Sequence, residues 1–216
     1  MLRPALFATV CALSLPAAAS AEVELSFYGG AQSAPHSDVF VSGNDTYPAK
    51  TRVKWEGRSF DPPPYYGLRA TYWASDSFGY GLDFTHSKVY SDDESRAGTP
   101  YERLEFTDGL NTLTANAYRR FQPFDSGLRP YVGAGLGLAI PHVEVSDGET
   151  STLGYQVTGP AATVLAGASY PVTDSLSVFG EYKFTYSQNS ADLDDGGTLD
   201  TDIITNAVNV GVSFSF

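Results

Sequence analysis

The sequence predicts an all-β chain: an eight-stranded antiparallel up-and-down transmembrane β-barrel with short periplasmic turns and long outer loops. Three observations predict it. The last stretch reads IITNAVNVGVSFSF, and from Val208 its apolar residues, Val208, Val210, Val212, Phe214 and Phe216, fall on every second position. A strand turns alternate side chains to opposite faces, so this one has an apolar face and a small, polar face. It finishes on an aromatic, as the closing strand of a bacterial outer-membrane barrel is expected to. Second, beyond residue 21 no apolar run approaches the ~20 residues that a spanning helix needs. A closed barrel is then the way left to satisfy every backbone group in hydrocarbon. Third, short and long connections alternate along the chain, the asymmetry expected of such a barrel.

Residues 1–21, MLRPALFATVCALSLPAAASA, carry Arg3, a short apolar run and the small-x-small ending Ala19, Ser20, Ala21. They read as a cleaved secretory signal peptide, with residues 22–216 forming the barrel domain. The single cysteine, Cys11, falls in that leader, so the mature chain holds no thiol for disulfides, thiolate metal sites or nucleophilic catalysis. A formal charge of -12 argues against nucleic acid as a partner, since a phosphate-binding face needs clustered Lys and Arg.

Taken in order, residues 22–32 alternate Val23, Leu25 and Phe27 against Glu24, Ser26 and Tyr28, which predicts a first strand with an apolar outer face. Residues 33–64 follow, rich in Pro, Gly, Ser and Asp. Within them 52–57 alternate as well. Counting that piece gives nine strands and leaves the termini on opposite sides of the membrane, whereas leaving it in an outer loop gives an even number, as in bacterial single-chain barrels. Strands over 65–73 and 78–90 flank the turn Ala74–Ser77, and strands over 162–170 and 176–186 flank Val172–Ser175; Asp and Ser bond the backbone locally in such turns. Strands over 110–121 and 129–140 are joined by 122–128, and 203–216 closes the barrel. The longer connections, 91–109, 141–159 and 187–202, are acidic. No segment reads as a substantial helix.

If the apolar rows face lipid, the opposite rows fill the interior with Glu24, Arg69, Asp83, Asn116, Arg120, Glu181 and Lys183. An eight-stranded lumen is just wide enough for side chains, so these charges are expected to pair across it as a polar plug, not a pore. The glycines Gly133, Gly135 and Gly137 make room for large side chains opposite. His36, His86 and His142 all fall near the outer strand ends, where lipopolysaccharide sugars and phosphates lie. His86 and Lys88 extend one apolar row and His142 and Glu144 another. Two readings of the histidines stand side by side: ligands of a divalent metal together with nearby carboxylates, or separate interfacial residues with polar tips. The stiff segment from Glu56 to Tyr66, with Arg58, three prolines, Tyr65 and Tyr66, suits the wall of a pocket. Asp192, Asp194, Asp195, Asp200 and Asp202 read as a solvated acidic loop; calcium is the other reading, although the spacing of an EF-hand is missing. No G-x-S-x-G motif or sequence-local triad supports hydrolase chemistry.

The GVSFSF end and RPYVGAGLGLA resemble the small eight-stranded outer-membrane barrel superfamily that includes the outer-membrane protein A type. More narrowly, LSFYGGAQSAPHS, PPPYYGLRATYW, GLDFTHSKVYSDDE, ERLEFTDGLNTLTANAY, PYVGAGLGLAIPHVEV and GEYKFTYSQNSADLDDGG resemble the outer-membrane lipid A oxidase group of alphaproteobacteria. That resemblance implies a Gram-negative outer-membrane oxidoreductase that converts the proximal glucosamine of lipid A to 2-aminogluconate, using dioxygen as co-substrate and releasing hydrogen peroxide. It implies membrane lipid as the partner. The chain is expected to act as a monomer and to reach the outer-membrane assembly machinery through its C-terminal strand. The resemblance carries no catalytic motif, so the site residues come from placement alone: His36, His86, His142 and Glu144 as catalytic candidates, and Arg58, Lys88, Tyr65 and Tyr66 as substrate-binding candidates. The cofactor stays open, a divalent metal being one option. A non-enzymatic barrel with an envelope-structural or ligand-binding role is the alternative.

Overall fold

The computed structural model describes residues 22–216; the expected signal peptide lies outside the described residues. Eight long strands form the barrel: β1 (Glu22–Ser33), β2 (Tyr66–Trp73), β3 (Phe78–His86), β4 (Leu110–Arg120), β5 (Arg129–Ser146), β6 (Gly159–Pro171), β7 (Leu176–Asp192) and β8 (Thr198–Ser215). Each pairs antiparallel with its neighbours in sequence, and β8 returns to β1 with Glu24 opposite Ser215 and Ser33 opposite Asn206, which closes the ring. Period-two alternation decides what faces outward. Val23, Leu25, Phe27, Leu68, Tyr80, Leu82, Leu136, Val208, Val210 and Phe214 are exposed on the outer surface, an arrangement unfavourable in water and favourable in lipid. Among the described residues no helix is long and apolar enough to cross a membrane; the one helix, Asp93–Arg96, is a single capped turn.

The inward rows pair as the pattern requires. The Arg69 guanidinium lies 2.9 Å from Asp83 and 2.8 Å from Glu181, and Lys183 lies 3.0 Å from Asp83. The Tyr28 hydroxyl donates to Asp83 at 2.7 Å, and the Tyr131 hydroxyl and the Asn209 amide donate to Glu181. Four charges of alternating sign thus fill the mid-lumen, each with hydrogen bonds that offset its desolvation. Gly67 and Gly133 are opposite the Tyr28 and Tyr118 rings, and a Cβ on either would fall within 2.6 Å of a ring carbon. Arg120 sits apart from the plug, paired with Glu22 at 2.8 Å toward the short-turn end. Glu24 is also near that end and reaches only Ser26. Beneath Arg69 a cavity of about 310 Å³ opens among Trp73, Tyr118, Tyr131 and this pair.

The long-loop end departs from a set of solvated loops. The strand expected over 78–90 ends at His86; the chain then leaves the barrel, and Val89–Ser91 joins a second sheet with Trp55–Glu56, Arg103–Phe106, the outer part of β5 and Ser151–Tyr155. The outer parts of β7 and β8 continue as a hairpin to which Ser37–Ser42 and Lys50–Val53 add. β5, β7 and β8 therefore run well past the expected ends. Their alternation continues, but the inward row now meets apolar partners. Val39, Val41, Val53, Trp55, Val89, Leu104, Phe106, Val143, Val145, Leu193, Leu199 and Ile203 form one buried cluster between the two sheets. The exposed aspartates Asp192, Asp194 and Asp195 are interleaved with Ala191 and Leu193 of that core.

Candidate functional site on the outward wall

Strand parity places several candidates on one face. His86, Asn111 and His142 continue the outward rows of β3, β4 and β5 at their long-loop ends, and Tyr66 does so on β2. Tyr66 is the register partner of His86, and their rings stack at 5.1 Å. Asn111 Oδ1 lies 2.8 Å from His86 Nδ1, while His86 Nε2 is shut away from solvent without a partner. Gly109 is pressed into this corner: a Cβ there would come within 2.6 Å of His86 Nδ1, and its positive φ suits glycine.

One rung farther out, the outward face of the second sheet carries Glu56, Tyr90, Glu105, Glu144 and Leu153 in consecutive register across five strands. Glu144 Oε1 accepts from the Thr107 hydroxyl at 2.5 Å, and its other oxygen lies 3.3 Å from Arg103. His142 Nδ1 is 3.3 Å from Glu144 and 3.9 Å from Asp108, yet its geometry makes no hydrogen bond to either. Tyr155 meets the His142 ring edge-on and donates its hydroxyl to the Asp108 carbonyl, while the His142 amide donates to the Gly109 carbonyl. Three side chains that share no sequence motif thereby meet near one point, with Glu144 and the His142 ring held and the Asp108 carboxylate exposed.

Two cations flank the Tyr90 ring. Arg58 lies 4.3 Å over it and Lys88 5.6 Å. Arg58 adopts a left-handed backbone (φ 36°), an uncommon conformation for a residue with a Cβ, and its ion pair with Glu56 raises its pKa further. Lys88 is 1% exposed, and its ammonium donates only to the Asp61 carbonyl at 2.8 Å; burial holds its pKa below the ordinary lysine value. Burial, with Glu144 next in effect, pushes the Glu105 carboxyl up.

The structure therefore brings His86, His142, Glu144, Arg58, Lys88 and Tyr66 to one side of the molecule. It separates two candidates from them. Tyr65, one residue before Tyr66, has the opposite parity and packs inside the barrel with Tyr28 and Phe179. His36 lies in a groove with Asp38, Gln188 and Asp202, on the β7–β8 side. Asp108, Thr107, Asn111 and Tyr155 were not among the site candidates named from the sequence; Thr107 and Asp108 lie in the segment 101–109, denser in specific side chains than a flexible loop needs, and Asn111 is the next outward residue beyond Leu113.

The sequence profile of the family described as outer membrane protein beta-barrel domain matches residues 5–216. No curated protein sequence matches the chain significantly. Among solved structures, the outer membrane protein OprG of Pseudomonas aeruginosa is similar, at 11% identity and TM-score 0.51 over 91% of this chain and 96% of that one. Neisserial surface protein A is 19% identical with TM-score 0.49, over 91% and 97%. The attachment invasion locus protein of Yersinia pestis is 12% identical with TM-score 0.43, over 91% and 97%.

Proposed function

The chain belongs to the outer membrane protein β-barrel family and is a bacterial outer-membrane barrel, and from that premise we propose that it is an oxidoreductase acting on lipid A from its outward wall. In this reading it oxidises the proximal glucosamine of lipid A to 2-aminogluconate with dioxygen. One observation carries the choice of site: His86, His142, Glu144 and Tyr66 lie on the outward rows at the outer strand ends, with Arg58 and Lys88 beside them. The resemblance of the segments quoted above supports the choice of reaction.

The chemistry has definite needs. The anomeric carbon loses its C–H bond with two electrons, and the hemiacetal hydroxyl loses a proton, giving a lactone that water opens to the acid. Dioxygen takes up two electrons and two protons and leaves as hydrogen peroxide. Direct reaction with dioxygen draws on a redox metal or an organic cofactor. A general base must reach the hemiacetal hydroxyl. Glu144 is suited to that role because Thr107 and Arg103 fix its carboxylate. Arg58, with nearly half its side chain exposed, supplies positive charge for a lipid A phosphate, and Lys88, closed off beneath it, adds its charge from the other side of the Tyr90 contact. Glu144 sits on β5, and Arg58 and Lys88 are held against the Tyr90 ring of the second sheet, which favours orientation. The reading has the chain as a monomer, delivered by the assembly machinery through β8.

Mass spectrometry of lipid A from cells with and without the protein, grown with and without air, tests the proposal. A species one oxygen atom heavier, present only with protein and air, is expected. An unchanged lipid A profile favours an envelope-structural or ligand-binding barrel.

A further inference from the structure

We propose that Asp108, His142 and Glu144 form a mononuclear site for a divalent first-row metal, such as iron(II) or manganese(II), on the outward wall. The inference deepens the proposed function by naming a group that its dioxygen chemistry can use; with the ion held through Glu144 Oε1, the oxygen beside His142, the base role falls to Oε2 of the same carboxylate. It is built on the geometry of these three residues alone.

The distances fit a metal. Nitrogen and oxygen ligands sit ~2.0–2.2 Å from such an ion, so ligand atoms at right angles are separated by about 3 Å, tetrahedral neighbours by about 3.5 Å and opposed ones by about 4.2 Å. His142 Nδ1 and Glu144 Oε1 are 3.3 Å apart, and His142 Nδ1 and Asp108 Oδ2 are 3.9 Å apart. All three donor atoms lie within 4.8 Å of one another. Asp108 is the widest placed and has 60% of its side chain exposed, so it is free to swing in. One imidazole with two carboxylates suits hard to intermediate divalent ions.

The histidine of the cluster supplies a second observation. His142 Nδ1 is closed off from solvent and has no hydrogen-bond partner, although a carboxylate oxygen is 3.3 Å away. A buried imidazole nitrogen left unbonded is unfavourable, and coordination removes the deficit. The residues around the ligands act as orienting groups do at metal centres. Thr107 and Arg103 hold Glu144, Tyr155 fixes the His142 ring plane, and the Tyr155 hydroxyl and His142 amide anchor the Asp108–Gly109 corner. Asp108 supplies the open side, leaving coordination positions toward the lipid. His86 does not join: it lies outside the group of donors that converge within 4.8 Å. The competing account is a bare contact of His142 with the two carboxylates and no ion.

The test is calorimetric titration of Mn²⁺ and Co²⁺ into the refolded full-length mature protein in detergent, stripped of metal beforehand, with the optical spectrum of the Co²⁺ form recorded in parallel. One ion per chain is expected, with His142→Ala and Glu144→Gln each weakening binding at least tenfold and Thr107→Val weakening it about tenfold. Heat-modifiable electrophoretic mobility identifies variants that have lost the barrel; Thr107→Val, which removes one hydroxyl from a rim position, serves if the larger changes fail to fold. Absence of binding with the barrel intact, or equal binding by wild type and all variants, overturns the proposal and leaves the bare side-chain contact. Because no lipid A is present, this outcome is independent of the lipid A profile that tests the reaction.

Discussion

Replacing Arg69 with Met is the sharpest perturbation of the barrel interior. The guanidinium donates to Asp83 at 3.0 Å and to both Glu181 oxygens at 2.8 and 3.0 Å, and both carboxylates are shielded from solvent. Removing one partner of a buried pair costs about 3–5 kcal/mol because a charge is left uncompensated. Asp83 keeps Lys183 at 3.0 Å, so the orphan is Glu181, which retains hydrogen bonds from Tyr131 and Asn209. The lower end of the range, about 3 kcal/mol, is therefore expected. With a urea slope of about 1–3 kcal/mol per molar, that moves the unfolding midpoint down by roughly 1–3 M. The assay is reversible urea unfolding in lipid vesicles, followed by tryptophan fluorescence. Arg69→Met combined with Glu181→Gln removes one charge of each sign and leaves the Lys183–Asp83 pair intact, so at least half the loss should return. A single-variant loss below about 1 kcal/mol, or strict additivity in the double variant, would show that water already screens these charges and that the interior is not a dry plug.

Three further perturbations follow from the outer body. Leu104 is 1% exposed in the core between the two sheets, so Leu104→Ala should cost about 2–5 kcal/mol of local stability and open 87–109 to protease while heat-modifiable mobility of the barrel persists. Lys88 has a buried ammonium with only a carbonyl partner; Lys88→Met should leave urea stability unchanged or raised, yet weaken binding to phosphorylated lipid A vesicles, whereas a loss of stability would mean the amine is structural. Burial, then Glu144, raises the Glu105 pKa above its ordinary value of 4.5. The folded form then holds its proton to higher pH than the unfolded one, so stability is present at acid pH and falls as pH rises through the folded pKa. Glu105→Gln should accordingly raise stability at pH 7 by less than about 1 kcal/mol and have little effect at pH 4.

The barrel was legible because period-two alternation is local: Val208 to Phe216 states its own two faces, and parity sufficed to place 52–57 outside the ring. The outer body was not, because its core joins Val41 to Leu199 and Leu104 to Val145, pairs that only register brings together. Pro, Gly and Asp around those residues read as loop, while the apolar residues between them were closing a second core. The same limit governs the site. His86 and His142 were visible as extensions of outward rows, but Asp108 sits in the turn before β4 and meets His142 only through the anchoring of Gly109 on β5. Tyr65 and Tyr66 were grouped by adjacency, although a strand sends adjacent residues to opposite faces. His36 shares composition with the other histidines and not their side of the barrel, because 34–65 winds across β8 before reaching β2.

The most direct test of the outward wall as the working surface is the reaction of purified protein with lipid A in vesicles under air, comparing wild type with Glu144→Gln and following both aminogluconate and hydrogen peroxide. Wild type should form the two products in equal amounts, and Glu144→Gln, folded by heat-modifiable mobility, should lose at least 100-fold in rate, as expected when a general base is removed. Equal rates for the two proteins would take Glu144 out of the chemistry, and no product from wild type would contradict the proposed reaction itself.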